Sequence, residues 1–249
     1  MTILEHIKKA TAQVREKPLK ERLEYFWDYY KWHAIVIVLV IAILTQGIVA
    51  MCNRRETAFC GIFLNCKISI DDDTFLQGFY DFAGIDAASQ EATFYTDLSL
   101  TDGESQNDIN TFRRIMAGIA NKDTDIIVGQ TEAFRLCAYN SAAIFADLRQ
   151  ALDQETLSRL SGRLYYIDGA VLRELDAPVG TQVYVDVTTL PDPTKPEAME
   201  DPIPVGINIS DLEDFRSAYY LTDAPLYLGI VANAPRPDTA LQFIDYLLP

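Results

Sequence analysis

Histidine is almost absent from this sequence: the chain has two, His6 and His33, and none in residues 34–249. Ser-His-Asp and Cys-His catalytic arrangements and His-containing zinc sites all need an imidazole, so residues 34–249 cannot form them. The P-loop and the Gly-rich dinucleotide fingerprint, which cradle phosphates, are missing as well. We therefore expect no catalytic residue, no enzyme activity, no bound metal and no cofactor.

Positive charge and cysteine are also scarce. The chain has 21 basic and 36 acidic side chains, a net charge of −15, and because nucleic-acid binding depends on neutralising phosphates, we exclude nucleic acid as a partner. Four cysteines are too few for a disulfide scaffold. On one extended strand, Cys60 and Cys66 would lie roughly 20 Å apart, beyond disulfide reach. A bond from either to Cys137 stays open, but we expect buried free thiols.

Acidic clusters suggest two kinds of site. The run Asp71-Asp72-Asp73 could offer oxygens to calcium, but it lacks the alternating ligands, central Gly and distal Glu of an EF-hand loop. We favour capping of the helix that follows it. Carboxylate pairs for general acid and base catalysis could come from Asp97 with Asp102 and Glu104, or from Glu132 with Asp147. An acidic domain offers such pairs by chance, so we assign them no role.

The sequence does contain one long apolar run. Residues 34–51 carry no charge, and Thr45 and Gln46 are their polar members. As a helix, these residues rise about 27 Å, close to the hydrocarbon thickness of a bilayer. Both tryptophans of the chain lie just before the run, within residues 25–33, and amphipathic rings favour a membrane boundary. We predict a transmembrane helix at 34–51, with the bilayer as a partner and an interfacial belt of Trp27, Tyr29, Tyr30 and Trp32.

Three alternatives compete with an uncleaved anchor. A buried core helix would normally have a polar stripe, which this run lacks over five turns. A cleaved signal peptide normally has a shorter leader and a shorter apolar run. A lipoprotein is the sharper rival, because Cys52 ends the run, but the bulky Met51 stands where a small residue is normal. Lipidation of Cys52 stays open on the sequence.

The arm formed by residues 1–33 decides the expected orientation. It holds seven basic and five acidic residues, and five of the basic ones lie near the span, against three that follow it. By the positive-inside rule we place the N-terminus in the cytoplasm and the C-terminal domain outside, although Arg54 and Arg55 oppose this. Pro18 is expected to begin a helix that runs into the membrane. The arm is either a docking helix for a partner or anionic lipid, or a topology-setting leader.

Residues 52–249 hold 14 basic and 31 acidic residues, a net charge of −17. Short apolar runs predict strands from residue 59 and at 92–98, 125–129, 164–167, 183–187, 205–209 and 226–232. Helical patterns follow Thr74 and occupy 105–120, 132–139 and 237–248. Strands that alternate with helices predict an α/β layer architecture.

Three stretches of this domain carry a family resemblance. They are the arginine-bearing helix and DIIVG strand of Phe112–Gly129, the segment AAIFADLRQAL of Ala142–Leu152, and the strand, turn and helix of Tyr227–Leu247. Together they resemble the extracytoplasmic solute-binding proteins of bacterial ABC importers. The resemblance implies a periplasmic-binding-protein-like α/β fold within residues 56–249, reduced in size. It places a main lobe at 56–141 and 226–249 and a reduced second lobe at 142–225.

The resemblance also implies a function. It favours a membrane-anchored binding or accessory module that takes a small polar solute. The ligand would lie against loops that follow strands, and the candidate residues are Gly129, Gln130, Thr131, Glu132, Tyr165, Tyr166 and Asp168. A simpler interpretation makes Tyr165 and Tyr166 one buried and one exposed residue of a strand. The alternative function is structural: a membrane assembly protein whose outer domain binds another membrane protein.

Overall fold

The structure, a computed structural model, describes residues 19–52, 55–66, 73–101, 103, 105–139, 144–175, 190–213, 215, 219 and 224–249. Several expectations lie outside these residues: the start of the arm, Arg54, Asp71, Asp72, Asp102, Glu104 and the strand at 183–187; the side chains of Cys52 and Asp73 are not described either. The chain divides into two compact units, Met1–Arg54 and Arg55–Pro249. Each is described by itself.

The described part of the first unit is one helix, α1, from Leu19 to Cys52. Its 34 residues correspond to about 51 Å of helix. Pro18 directly precedes α1 and no proline lies inside it, so nothing removes a backbone donor along its length. The expected helix that runs from Leu19 through the apolar segment is therefore confirmed.

The described part of the second unit contains strands and helices in alternation. The strands are β1 (Glu56–Phe63), β2 (Gln90–Tyr95), β3 (Ile126–Gln130), β4 (Leu164–Asp168), β5 (Pro202–Asn208) and β6 (Leu226–Ile230). The helices are α2 (Asp73–Ala83), α3 (Gln106–Ala120), α4 (Thr131–Ala138), α5 (Leu148–Ala151), α6 (Gln154–Arg159), α7 (Gly169–Leu175) and α8 (Pro237–Leu247), with 3-10 turns at Ser161–Arg163 and Pro196–Ala198. The predicted α/β class is confirmed.

Side-chain caps explain where several helices begin. The Ser105 hydroxyl accepts a hydrogen bond from the Asp108 N–H at 3.0 Å and starts α3. The carboxylates of Asp147 and Asp153 cap α5 and α6 in the same way. Each cap satisfies a backbone donor that the first turn leaves without a helical partner, and it is worth about 1 kcal/mol.

The six strands form one mixed sheet in the order β2-β1-β3-β6-β5-β4. β1 runs parallel to β2 and β3, whereas β6 is antiparallel to β3 and β5, and β4 is antiparallel to β5. Because Ile207 pairs with Leu228, β5 and β4 extend the sheet expected for the main lobe. The described part of residues 142–225 therefore contributes β4 and β5 to this sheet, and the division into two lobes stays a prediction.

Helices cover both faces of this sheet, which gives three layers. On one face, α2 and α8 contribute phenylalanines to a buried cluster with β1. Phe59, Phe79 and Phe243 are fully buried, and their ring centroids lie 4.7 to 5.3 Å apart. Burying a side chain of this size stabilises the fold by about 1.5–3 kcal/mol, so this cluster attaches both helices to the sheet.

On the opposite face, α3 and α4 pack against the sheet. Here Phe134 stacks on Phe145, with centroids 4.5 Å apart and planes 11° from parallel. Two strand glycines lie beneath these rings: a Cβ on Gly229 would lie 2.5 Å from the Phe145 ring, and one on Gly206 would lie 2.7 Å from the Phe134 ring. The missing side chains let both rings rest directly on the strand backbone.

Candidate functional site

The surface of α1 is the first candidate for a functional site. The window Trp32–Val49 has a mean hydropathy of 2.3 and no part of it is buried within the protein. By length and composition it can cross a membrane, and either an anchor or a signal sequence fits that description. In water, such an exposed apolar surface would be strongly unfavourable. A lipid environment removes that cost.

Polar groups inside this window are few. The Thr45 hydroxyl donates a hydrogen bond of 2.7 Å to the carbonyl oxygen of Ile41. This contact satisfies the hydroxyl donor within the helix, as a hydrocarbon environment requires. Gln46 follows directly, and its side chain is exposed on the helix surface.

The proposed aromatic belt lies at the N-terminal boundary of the window. Trp27 and Trp32 expose 66% and 69% of their surface, which leaves both rings free to contact lipid headgroups. Tyr29 and Tyr30 occupy the same stretch of α1, but their side chains lie outside the described residues. The belt stays a prediction for all four residues.

The carboxyl end of the sheet, where β1, β3 and β5 finish, is the second candidate. From β1 the chain crosses first to β2 on one side and later to β3 on the other. Such a reversal is the switch point at which open α/β sheets bind ligands. The loop after β1 is tied to the loop after β2, because the Asn65 side chain donates to the Leu100 carbonyl oxygen and accepts from the Leu100 N–H.

Four of the seven candidate ligand residues lie at this end, from Gly129 to Glu132. Gly129 is buried within β3 and Glu132 is exposed on α4. Gln130 is half-buried at the N-cap of α4, where its side chain makes no capping hydrogen bond. The Thr131 N–H donates to the Pro225 carbonyl oxygen at 3.0 Å and so ties α4 to the chain before β6. Of these four residues, Glu132 is exposed and Gln130 and Thr131 are half-buried, and the Thr131 hydroxyl already lies 3.3 Å from the Pro225 carbonyl oxygen.

The other three candidates lie on β4, which β6 and β5 separate from β3. Three strand spacings correspond to about 14 Å. Tyr165 is fully buried, and burial raises its pKa, while Tyr166 is half-buried. Asp168 pairs with Pro202 at the start of β5, so it lies at the end of the sheet opposite to Gln130. The structure does not bring the seven residues together on one surface.

Asp168 instead binds three backbone N–H groups of this chain. Its carboxylate accepts hydrogen bonds from the N–H groups of Ala170, Glu200 and Asp201 at 2.9 to 3.0 Å. Burial raises the pKa of Asp168, but the three backbone donors lower it by more, so the pKa lies below its usual range. The ionised carboxylate joins the start of α7 to the segment before β5.

A buried ion pair lies at the amino ends of β1 and β3. Arg236 Nε donates to Asp125 Oδ2 at 2.8 Å, and the Arg236 N–H and the Cys60 N–H also donate to this carboxylate. The guanidinium reaches the carbonyl oxygens of Thr57 and Asp123 as well. Asp125 is fully buried. Burial raises its pKa, and Arg236 and the hydrogen bonds lower it by less, so desolvation outweighs the ion pair.

Two of the carboxylates weighed for acid and base catalysis, Asp97 and Asp147, contact arginines. Asp97 pairs with Arg114 at 3.0 Å and both are exposed. Asp147 pairs with Arg149 at 2.7 Å. Burial raises the pKa of Asp147, but Arg149 lowers it by more, so this carboxyl group is ionised at neutral pH and does not donate a proton there. Among the described residues no group of three or more His, Cys, Asp or Glu could hold a metal ion.

The described cysteines Cys60, Cys66 and Cys137 form no disulfide, and Cys66 is half-buried. Cys60 and Cys137 are buried, and desolvation raises the pKa of each to about 12. Since the thiolate is the nucleophile, these two side chains are unreactive at neutral pH.

Sequence reasoning missed the ion pair of Asp125 with Arg236 and the role of Asp108. The Asp108 carboxylate is fully buried and accepts from the Thr101 N–H, the Thr101 hydroxyl and the Gly103 N–H. A local signal existed for Asp108, because Ser105 and Asp108 stand three apart at a helix start. None existed for Arg236, which lies 111 residues from its partner.

Comparisons of the chain with protein families, with curated proteins and with solved structures find no match. Any assignment of function therefore depends on the residues themselves.

Replacing Arg236 by Met is expected to destabilise residues 55–249 by about 3–5 kcal/mol, because Asp125 then stays buried without its countercharge. The matched control is Arg159→Met, which breaks the exposed pair of Arg159 with Asp245 and should cost less than about 1 kcal/mol. Urea denaturation of the purified domain measures both. If the two variants lose the same free energy of unfolding, the pair of Asp125 with Arg236 contributes no more than an exposed pair, which would contradict this prediction.

Replacing Asp168 by Asn tests the backbone contacts through pH. A carboxyl group whose folded pKa is lowered stabilises the fold above its unfolded pKa, about 3.9, and this contribution is lost as the pH falls through the folded pKa. At pH 7 we expect a loss of about 1–3 kcal/mol, which shrinks below about pH 4. The control is Asp81→Asn, on the exposed face of α2. Its free energy of unfolding should stay within about 0.5 kcal/mol of the wild-type value. A loss of unfolding free energy in Asp168→Asn that is the same at pH 7 and at pH 3 would contradict the assigned role of the ionised carboxylate.

Proposed function

We propose that this chain is a single-pass membrane protein with a cytoplasmic N-terminus and an extracytoplasmic binding or accessory domain at residues 56–249. The exposed apolar surface of α1, Trp32–Val49, carries the proposal. No described part of the chain covers this surface, since none of the window is buried. A lipid bilayer matches its length of about 27 Å.

Charge supports the orientation. The arm is slightly positive, and residues 52–249 carry a net charge of −17. Anionic lipid attracts Lys and Arg on the cytoplasmic side and repels an acidic domain from the same surface. An acidic domain on the outer side of the membrane, joined to a basic arm on the inner side, satisfies both preferences.

A solute-binding-like role is supported by two features of the domain. Parallel strands β2, β1 and β3 create a switch point, and Gln130 and Glu132 present accessible polar side chains beside it. The sequence also resembles the solute-binding proteins of ABC importers. A small polar solute that hydrogen-bonds to amide and carboxylate groups is the ligand class that fits.

One observation favours the alternative, an ectodomain that binds another membrane protein. The seven candidate ligand residues are divided between the carboxyl end of β3 and the separate strand β4, and Gly129 and Tyr165 are buried in the described structure. A protein partner needs no convergent set of polar groups, because it binds over a broad surface.

Orientation is tested by labelling single cysteines with a membrane-impermeant maleimide on intact cells. In a chain whose Cys52 and Cys66 are replaced by Ser, we expect Lys195→Cys to react, because the Lys195 side chain is 61% exposed. The control Lys8→Cys, in the arm, should react only after permeabilisation. The reverse pattern would overturn the orientation, and recovery of the chain in the soluble fraction would overturn the anchor.

Solute capture is tested by thermal unfolding of the full chain in detergent with sugars, oligosaccharides, peptides and amino acids. A ligand at a hundred times its Kd stabilises the folded state by about 2.7 kcal/mol. We expect Gln130→Ala to abolish the stabilisation by the ligand. The control Gln150→Ala, exposed on α5, should retain this stabilisation. No response to any class would favour the protein-binding alternative.

A further inference from the structure

Gln46 is an unusual residue for the middle of an apolar span. It lies about 5 Å along the helix axis from the midpoint of residues 34–51. The amide has two N–H donors and a carbonyl acceptor. In hydrocarbon there is no water to bond these groups, and each one left unsatisfied is costly.

Helix α1 cannot satisfy this amide on its own. Every backbone N–H in the interior of a helix already donates to the carbonyl four residues earlier, so no main-chain donor is left for the Gln46 side-chain oxygen. Its neighbour Thr45 uses its hydroxyl to donate to Ile41. Because the Gln46 side chain is exposed on the helix surface, its donor must come from outside the helix.

Gly47 points to close approach on the same side. A Cβ built on Gly47 would meet nothing within 4 Å, so no contact within this chain requires a glycine there. Glycine nevertheless costs a helix about 1 kcal/mol relative to alanine. Small residues at transmembrane interfaces let two backbones come close enough for side-chain hydrogen bonds.

We propose that a second copy of this chain covers this face of α1, with the two Gln46 amides hydrogen-bonded across a two-fold axis. The inference rests on the proposed membrane span. A Gln amide is self-complementary, because each of the two copies can donate to the oxygen of the other. Two-fold symmetry repeats the same contact on both copies and closes the assembly as a dimer.

Helix geometry distinguishes the dimer face from its opposite. At 3.6 residues per turn, Ile43 falls between Gln46 and Gly47 around the helix, and Ile41 falls on the far side. The two residues are matched in accessibility, since Ile43 is 61% and Ile41 is 57% exposed. They form a pair of probe positions on opposite sides of the helix, separated by about 3 Å along its axis.

The test is disulfide cross-linking of the full chain in phosphatidylcholine vesicles, with Cys52 and Cys66 replaced by Ser. A disulfide forms only when two Cβ atoms come within about 4.5 Å. We expect Ile43→Cys to give a covalent dimer on mild oxidation, and Ile41→Cys to stay monomeric. Flotation of the vesicles reports insertion separately.

The role of the amide is tested by labelling Lys195→Cys with donor and acceptor dyes and measuring energy transfer against dilution in lipid. Gln46→Leu should weaken dimerisation about 3- to 20-fold, the range measured for single hydrogen bonds between membrane helices. Thr45→Val, which removes a hydroxyl satisfied within its own helix, should leave it unchanged. Gln46→Asn, which keeps an amide, should retain part of the association.

Each outcome decides the proposal. Equal cross-linking at positions 43 and 41, or equal association of Gln46→Leu and the wild type in vesicles that carry the protein, overturns the dimer and leaves the membrane anchor intact. Cross-linking of Ile43→Cys to a different polypeptide in native membranes, in place of its own copy, also overturns it. Failure of the chain to float with vesicles overturns the anchor and the dimer together.

Discussion

The carboxylate of Asp125 holds together parts of the domain that are far apart in the sequence. It accepts hydrogen bonds from β1 and from Arg236 before α8, and the guanidinium continues to Thr57. These contacts connect β1, β3 and α8 at one carboxylate. Desolvation raises the pKa of Asp125 by more than Arg236 and the hydrogen bonds lower it, and a buried charge of this kind has few acceptable partners. The phenylalanine cluster of α2 and α8 packs against the same β1.

The two units differ in where their apolar side chains lie. In Arg55–Pro249, apolar side chains are removed from water by a central sheet with helices on both faces. In α1 the apolar side chains are on the outside, and the polar Thr45 turns inward to its own backbone. Water accounts for the first arrangement, and the proposed bilayer would account for the second. Within the proposed span the Gln46 side chain is exposed, and the proposed dimer would give its amide a hydrogen-bonding partner.

Many of the strands and helices were predicted from local patterns in the sequence. Strand β3 was expected at 125–129 and lies at Ile126–Gln130, because a short run of β-branched residues between polar ones has few other interpretations. Ser105 and the apolar spacing after it located α3. Helices α5, α6 and α7 were not predicted, since four to seven residues are too few to show a helical period.

The order of strands and the candidate site depended on long-range contacts. Nothing in residues 202–208 shows that this strand pairs with β6 and joins the main sheet. Asp168 follows an apolar strand just as Gln130 does, but β4 runs in the opposite direction, so the two strand ends face opposite ways. The sequence pattern locates the end of a strand, but it does not show whether the strand runs parallel or antiparallel to its neighbours in the sheet. The continuity of α1 has a mechanical consequence: with no proline from Leu19 to Cys52, its ladder of backbone hydrogen bonds is uninterrupted, so a rotation or axial shift imposed at one end is carried along the helix to the other.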